Sequence, residues 1–182
     1  MKPEELDAVI QRMREGVRDW LDECVGVPGS LIDRQPAPGV WSIKQNTFHL
    51  GDAIEATLLR LESMLQQDDP QLLRFDADKW AADRRYQERS WSEAVSRLTA
   101  GLGVLLSQAI SFGPDQLART GRQPNIAINL LGLPTEQLTV ADLLRFEAAH
   151  VEEHLTSVRA ILADREVTDR ELIASAHDPR PA

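Results

Sequence analysis

Residues 139–164 read TVADLLRFEAAHVEEHLTSVRAILAD, and this stretch decides the fold. Its apolar residues recur at alternating intervals of four and three, which places them on one face of an α-helix. They are Leu144, Ala148, Val151, Leu155, Val158 and Leu162. Such a continuous apolar face is typical of a helix that packs against other helices in a bundle. The stretch therefore predicts one long amphipathic helix of an all-α protein.

Three further segments of the chain have helical character. In residues 42–66 the apolar positions follow the same spacing of four and three. Ser42, Ser90 and Thr139 each stand three residues before a Gln, Glu or Asp, which is the pattern of a capping box at a helix start. We predict a four-helix bundle without a β-hairpin, with helices over residues 3–24, 42–66, 90–112 and 139–164.

The composition indicates a single ordinary globular domain. A chain of 182 residues can bury a core without disulfides, and its one cysteine, Cys24, is predicted to be an unreactive thiol. No apolar run approaches the roughly 20 residues that span a bilayer, so we expect a cytoplasmic protein without a membrane partner. The net charge of −9 argues against nucleic-acid binding. The predicted domain covers residues 1–165, and residues 166–182 form a tail.

Two long connections, residues 67–89 and 113–138, separate the predicted helices. The first contains Phe75, Trp80 and Tyr86, so we expect it to fold back over the bundle. Two interpretations are open for these aromatic side chains. They either form the wall of a substrate pocket or only attach the connection to the core.

Three of the four histidines are candidates for a metal site. His150 and His154 are four residues apart on a predicted helix, a spacing that lets two imidazoles bind one ion. His49 is the other histidine within a predicted helix, whereas His177 falls in the polar tail. Such histidines also occur as hydrogen-bonded structural residues, so the pair alone does not establish a site.

Two motifs that overlap the histidine pair favour other metal chemistry, but neither fits. Residues 150–154 match H-x-x-E-H of inverted zinc proteases, which need a larger chain and a downstream acidic ligand. Glu147 and His150 form an E-x-x-H pair, half of a di-iron bundle site, and the second half is missing. A mononuclear site is the better interpretation.

The chain resembles the DinB/YfiT-like superfamily of four-helix-bundle proteins. The resemblance rests on residues 39–45 (GVWSIKQ), His49-Leu50 and the late helix with His150 and His154, and it extends over about residues 5 to 163. It implies an up-down-down-up order of the helices, with a long crossover between helices two and three. It also implies that His49, His150 and His154 together bind one divalent metal ion, nickel or zinc.

The resemblance also carries expectations about function. Members of the superfamily include metal-dependent transferases of the thiols bacillithiol and mycothiol, and others are described as metal-dependent hydrolases. We expect transfer of a low-molecular-weight thiol to a small electrophile. The alternatives are metal-dependent hydrolysis of a small molecule and a non-catalytic protein that binds a metal or a small ligand.

Two carboxylates are candidates for supporting the site as acid, base or hydrogen-bond partner. Glu147 and Asp52 each lie about one turn from a histidine, on roughly the same helix face. The alternative is that both form surface or interhelix ion pairs. His49 lies beside Ala53 and Ala56, off the main apolar face of its helix, and this second face of small residues suggests a homodimer.

Overall fold

The computed structural model describes residues 1–74, 76–122 and 137–176, with side chains up to residue 163 in the last range. Its elements follow one another in the order α1 (Pro3–Glu23), α2 (Gly29–Asp33), α3 (Ile43–Gln66), α4 (Ala77–Asp83), a 3-10 turn (Tyr86–Glu88), α5 (Trp91–Ala109), α6 (Pro114–Leu117), β1 (Thr120–Arg122), β2 (Gln137–Thr139) and α7 (Val140–Ala176). The four long helices, α1, α3, α5 and α7, form a four-helix bundle, as predicted.

The capping boxes set the starts of three of these helices. At the start of α3 the Ser42 hydroxyl accepts from the Gln45 backbone N–H at 3.2 Å, and the Gln45 side chain accepts from the Ser42 N–H at 3.0 Å. The boxes that begin at Ser90 and Thr139 have the same reciprocal bonds. Each box satisfies backbone N–H groups that a helix start leaves without partners.

Two details differ from the sequence-based prediction. The chain does contain a short antiparallel pair, because β1 pairs with β2 through three residues on each strand. Strands of three residues are too short to show the alternation by which strands are recognised. In addition, α7 continues to Ala176 instead of ending near residue 164. Neither Gly nor Pro occurs between residues 164 and 176 to stop it.

Contacts along the bundle give the directions of the neighbouring helices. Three ion pairs join α1 to α7, namely Glu5–Arg145, Arg12–Glu152 and Glu23–Arg159. Their residue numbers rise together, so α1 and α7 run in the same direction. The same holds for α3 and α5, where Gly51 lies against Leu98 and Gly101 against Ile54.

Helix α3 lies between α5 and α7 and is buried over most of its length. Ala53 and Ala56, the small residues of its second face, are both buried within the chain. The face that suggested a dimer is therefore covered inside one copy of the protein, and the homodimer stays a prediction.

The connection between α3 and α5 folds back onto the bundle, as expected. Tyr86 is fully buried and its ring stacks on that of Phe48, with the ring centroids 5.2 Å apart. The Arg84 guanidinium lies 3.9 Å above the Trp80 ring. Phe75, the third aromatic residue of this connection, lies outside the described residues. None of the described helices is both long and apolar enough to cross a membrane.

The close approach of α3 and α5 predicts opposite effects for two Gly→Ala substitutions. A Cβ on Gly51 would lie 3.2 Å from the Leu98 backbone nitrogen, whereas a Cβ on Gly103 meets nothing within 4 Å. Both alanines favour the helix by about 0.5–1 kcal/mol. We expect Gly103→Ala to raise the free energy of unfolding by that amount. Gly51→Ala should instead lower it by about 1 kcal/mol, because α5 must move away.

Urea unfolding of the two variants and the native protein measures these changes. Equal stabilisation by both substitutions would contradict the close packing of α3 on α5.

Candidate metal centre

The structure brings together the three histidines that the sequence suggested. His49 projects from α3 toward α7, and His150 and His154 project from successive turns of α7. One ligand nitrogen from each ring lies within 4.8 Å of the others. The His150 Nε2 atom is 3.1 Å from His49 Nε2 and 3.0 Å from His154 Nε2. His49 and His150 are buried, and His154 is partly buried.

Asn46 sets the tautomer of His154. The Asn46 amide nitrogen donates to the backbone carbonyls of Trp41 and Ser42, at 3.2 and 2.9 Å, which fixes which end of the amide is oxygen. That oxygen lies 2.9 Å from His154 Nδ1 and can only accept, so Nδ1 carries the proton. The lone pair of a neutral His154 is therefore on Nε2, the nitrogen that faces His150.

Hydrogen bonding alone does not satisfy the three converging nitrogens. A neutral His150 has at most one proton on Nε2, so this atom can donate to His49 or to His154 but not to both. Whatever the tautomers, one of the two short contacts lacks a good hydrogen bond. A cation at this point would accept all three lone pairs. Bonds of about 2.0–2.1 Å to one ion would separate neighbouring nitrogens by about 3.0–3.4 Å, which agrees with the two contacts that His150 Nε2 makes.

Burial keeps two of the imidazoles neutral. It lowers the pKa of His49 well below the usual value, and the neighbouring His154 and His150 lower it further. Burial, followed by the effect of His150, lowers the pKa of His154 to about 3. Neutral imidazole is the form that binds a metal ion, so the environment favours the ligand form at neutral pH.

Glu147 lies behind His150, away from the converging nitrogens. Its carboxylate is fully buried and accepts from the Thr57 hydroxyl at 2.7 Å. Its other oxygen, Oε1, is 3.7 Å from His150 Nδ1, beyond hydrogen-bond length, and has no hydrogen-bond partner in the described part of the chain. The buried Arg60 interacts electrostatically with this carboxylate. Glu147 thus lies beside the outer nitrogen of the His150 ring without a hydrogen bond to it, and its role as a supporting carboxylate stays a prediction.

The second candidate carboxylate, Asp52, belongs to a different cluster. It is fully buried and accepts hydrogen bonds from Arg84 at 2.6 Å, from Arg97 and from the Tyr86 hydroxyl. Burial, together with the bond to Asp52, raises the pKa of Tyr86 above its usual value. This cluster joins α3, α5 and the connection between them, so the structure places Asp52 in the interhelix ion pairs that were the alternative to a site role.

Cys24 fits the sequence-based expectation, and His177 is not tested. Cys24 is buried, and burial with the nearby Glu23 carboxylate raises the pKa of its thiol to about 11, as expected for an unreactive thiol. His177 lies outside the described residues.

Neither Asn46 and Thr57 nor the aromatic rings were predicted from the sequence as parts of the centre. Trp41 packs against His49 and Phe146 stacks on His150, with ring centroids 4.8 and 5.4 Å apart. Asn46 and Thr57 are buried polar residues of α3. Their polar character in an otherwise buried helix was the available signal in the sequence. It does not identify their partners in the centre, which lie on a distant part of the chain.

An open pocket of about 620 Å³ adjoins the histidine cluster. It is lined by residues from the segment before α3 and from α3, α4 and α7: Pro36, Gly39, Val40, Trp41, Asn46, Asp78, Ser157, Ala160 and Ile161. Trp41 and Asn46 contact His49 and His154 directly, so the pocket shares a wall with the cluster. Gly39 has a φ of +78°, and this turn leads the chain into the pocket residues Val40 and Trp41.

The fold and the site define a helical-bundle protein with a three-histidine cluster beside an open pocket. The model of the DinB superfamily matches residues 5–158, and the chain belongs to that superfamily. A solved structure with the same fold is YfiT from Bacillus subtilis, described as a probable metal-dependent hydrolase with an unusual four-helix bundle topology. The match has a TM-score of 0.79 and 17% identity, and covers 91% of this chain and 90% of YfiT. No curated protein matches the chain.

The lowered pKa values of His49 and His154 predict how stability depends on pH without metal. Below about pH 6.5 the unfolded chain binds protons that the folded protein does not, so the free energy of unfolding falls as the pH falls. Each histidine changes the free energy of unfolding by up to about 1.4 kcal/mol per pH unit, in the interval between its pKa in the folded protein and its pKa in the unfolded chain.

Urea unfolding with a chelator, between pH 7.5 and 5, measures this slope. His154→Gln should flatten it. A native protein whose stability is constant over this interval would contradict the lowered pKa values.

Proposed function

We propose that the protein is a metal-dependent hydrolase that acts on a small molecule in the pocket beside its three histidines. The observation that carries this proposal is the convergence of the Nε2 atoms of His49, His150 and His154, at contacts of 3.0–3.1 Å around His150, next to a pocket of about 620 Å³. Three histidine ligands are a common set for a catalytic metal, since they leave coordination positions for water and substrate.

The surrounding side chains have distinct roles in this proposal. His49, His150 and His154 would hold the ion, and a bound divalent ion lowers the pKa of a coordinated water or thiol. Asn46 keeps the proton of His154 on Nδ1 and leaves Nε2 as the ligand atom. Glu147 faces the outer edge of the His150 ring, and the Trp41 ring covers one side of His49.

Hydrolysis and thiol transfer differ in what the pocket must bind. Among the described residues that line the pocket none is basic. Bacillithiol, glutathione and coenzyme A are all anionic, and an anionic thiol is usually bound through Lys or Arg side chains. The description of YfiT as a probable metal-dependent hydrolase also supports hydrolysis. At 17% sequence identity, however, the similarity between the two proteins is one of fold. Thiol transfer stays a prediction that the same assays test.

Metal analysis tests the centre itself. We expect about one equivalent of divalent metal, zinc or nickel, per chain after loading and desalting, and close to none in His150→Ala or His154→Ala. Glu147→Gln should keep the three ligands but weaken affinity by about tenfold, because it removes the charge behind His150.

His177→Ala is the matched control, since it removes a histidine that was not predicted to be a ligand. The proposal that these histidines bind the metal would be contradicted if the native protein, the two His→Ala variants and the control held equal amounts of metal.

An activity screen tests the reaction. Metal-loaded protein is incubated with chromogenic esters and amides, and separately with a chromogenic electrophile plus bacillithiol, mycothiol, glutathione or coenzyme A. We expect hydrolysis that needs no thiol, that disappears in His49→Ala and that survives Cys24→Ser.

Conjugation that depends on an added thiol would identify a transferase. Inactivity in every assay by a protein that binds metal would favour a non-catalytic binding protein.

A further inference from the structure

The charge of the pocket narrows the class of substrate, an inference that rests on the proposed function of the same site. Much of the pocket wall is apolar, with Val40, Trp41 and Ile161 among the side chains that form it. Val40 is 46% exposed although it is apolar, so a ligand that covers it would remove hydrophobic surface from water. Among the described residues that line the pocket, Asp78 is the one ionisable side chain.

Asp78 forms no ion pair within the described part of the chain. Its carboxylate, on the first turn of α4, forms no hydrogen bond or ion pair with any described residue. The three basic residues that follow it all have other acidic partners. These ion pairs are Lys79–Asp83 at 2.6 Å, Arg84–Asp52 at 2.6 Å and Arg85–Glu88 at 3.2 Å. Within the part of the pocket that described residues form, Asp78 therefore carries a negative charge without an ion pair, in a chain of net charge −9.

We propose that the substrate is a cation, an ammonium group attached to an apolar or aromatic body. Asp78 would pair with the ammonium group, while the Val40, Trp41 and Ile161 side chains contact the body. A cation is also attracted to the face of a Trp ring. An anion of the same size would instead be repelled by Asp78 and would find no basic partner among the described lining residues.

Three ligands of similar size and different charge test this proposal: 2-phenylethylammonium, 2-phenylethanol and 3-phenylpropionate. Their affinities for the full-length protein are measured by calorimetry or by ligand-observed NMR. Because Asp78 is exposed, the ion pair is partly solvated, and we expect the ammonium to bind about three- to tenfold more tightly than the alcohol. The carboxylate should bind most weakly.

Two Asp→Asn variants identify the group responsible. Asp78→Asn should reduce the affinity for the ammonium to that for the alcohol. Asp115→Asn is the matched control, because Asp115 is exposed, is also the second residue of a short helix and does not line the pocket. Equal binding of ammonium and alcohol by the native protein would overturn the proposal. So would an unchanged order of affinity in Asp78→Asn.

This binding assay does not depend on turnover, so it separates the inference from the proposed function. If the ammonium binds more tightly than the alcohol and the carboxylate most weakly, but no ester or amide is hydrolysed, only the proposed reaction fails. If esters are hydrolysed with no preference for cationic substrates, only the assignment of Asp78 fails. A corresponding series of ammonium, neutral and carboxylate esters extends the test to kcat/KM.

Discussion

The position of α3 between α5 and α7 is the constraint on which the rest of the structure depends. A helix that is buried on several sides cannot send its polar residues to water, so each of them must find a partner within the protein. On one side Gly51 lets the α5 backbone come close, and Asp52 meets Arg97. On the other side His49 and Thr57 meet groups on α7. The histidine cluster forms on the side of α3 that faces α7.

The parts of the structure that depend on local sequence could be predicted. The capping boxes use contacts three residues apart, and the pair His150 and His154 lies on one helix, so spacing alone revealed both. His49 depended on the resemblance to a family, because its burial needs two covered faces of α3. Asn46 and Thr57 were missed because their partners are 108 and 90 residues away in the chain. The short β1–β2 pair has too few residues to show a pattern.

Asp52 and Glu147 show how similar sequence signals lead to different environments. Each lies about one turn from a histidine, and both are fully buried. A helical wheel gives the direction of a side chain but not the group that it meets. Asp52 faces Arg84, which follows α4, and Arg97 of α5, and these two ion pairs neutralise it. Glu147 faces a hydroxyl and an imidazole and also interacts electrostatically with the buried Arg60, so it lies beside the histidine cluster.

The separation of the histidines along the chain has a consequence for the strength of the whole fold. His49 and His150 are 101 residues apart, and a single cysteine leaves the chain without an internal disulfide. An ion held by both would bind the folded chain and be released on unfolding, because unfolding separates the ligands, so its binding free energy would add to the stability of the fold. Metal supply in the cell would then govern the lifetime of the protein as well as its chemistry.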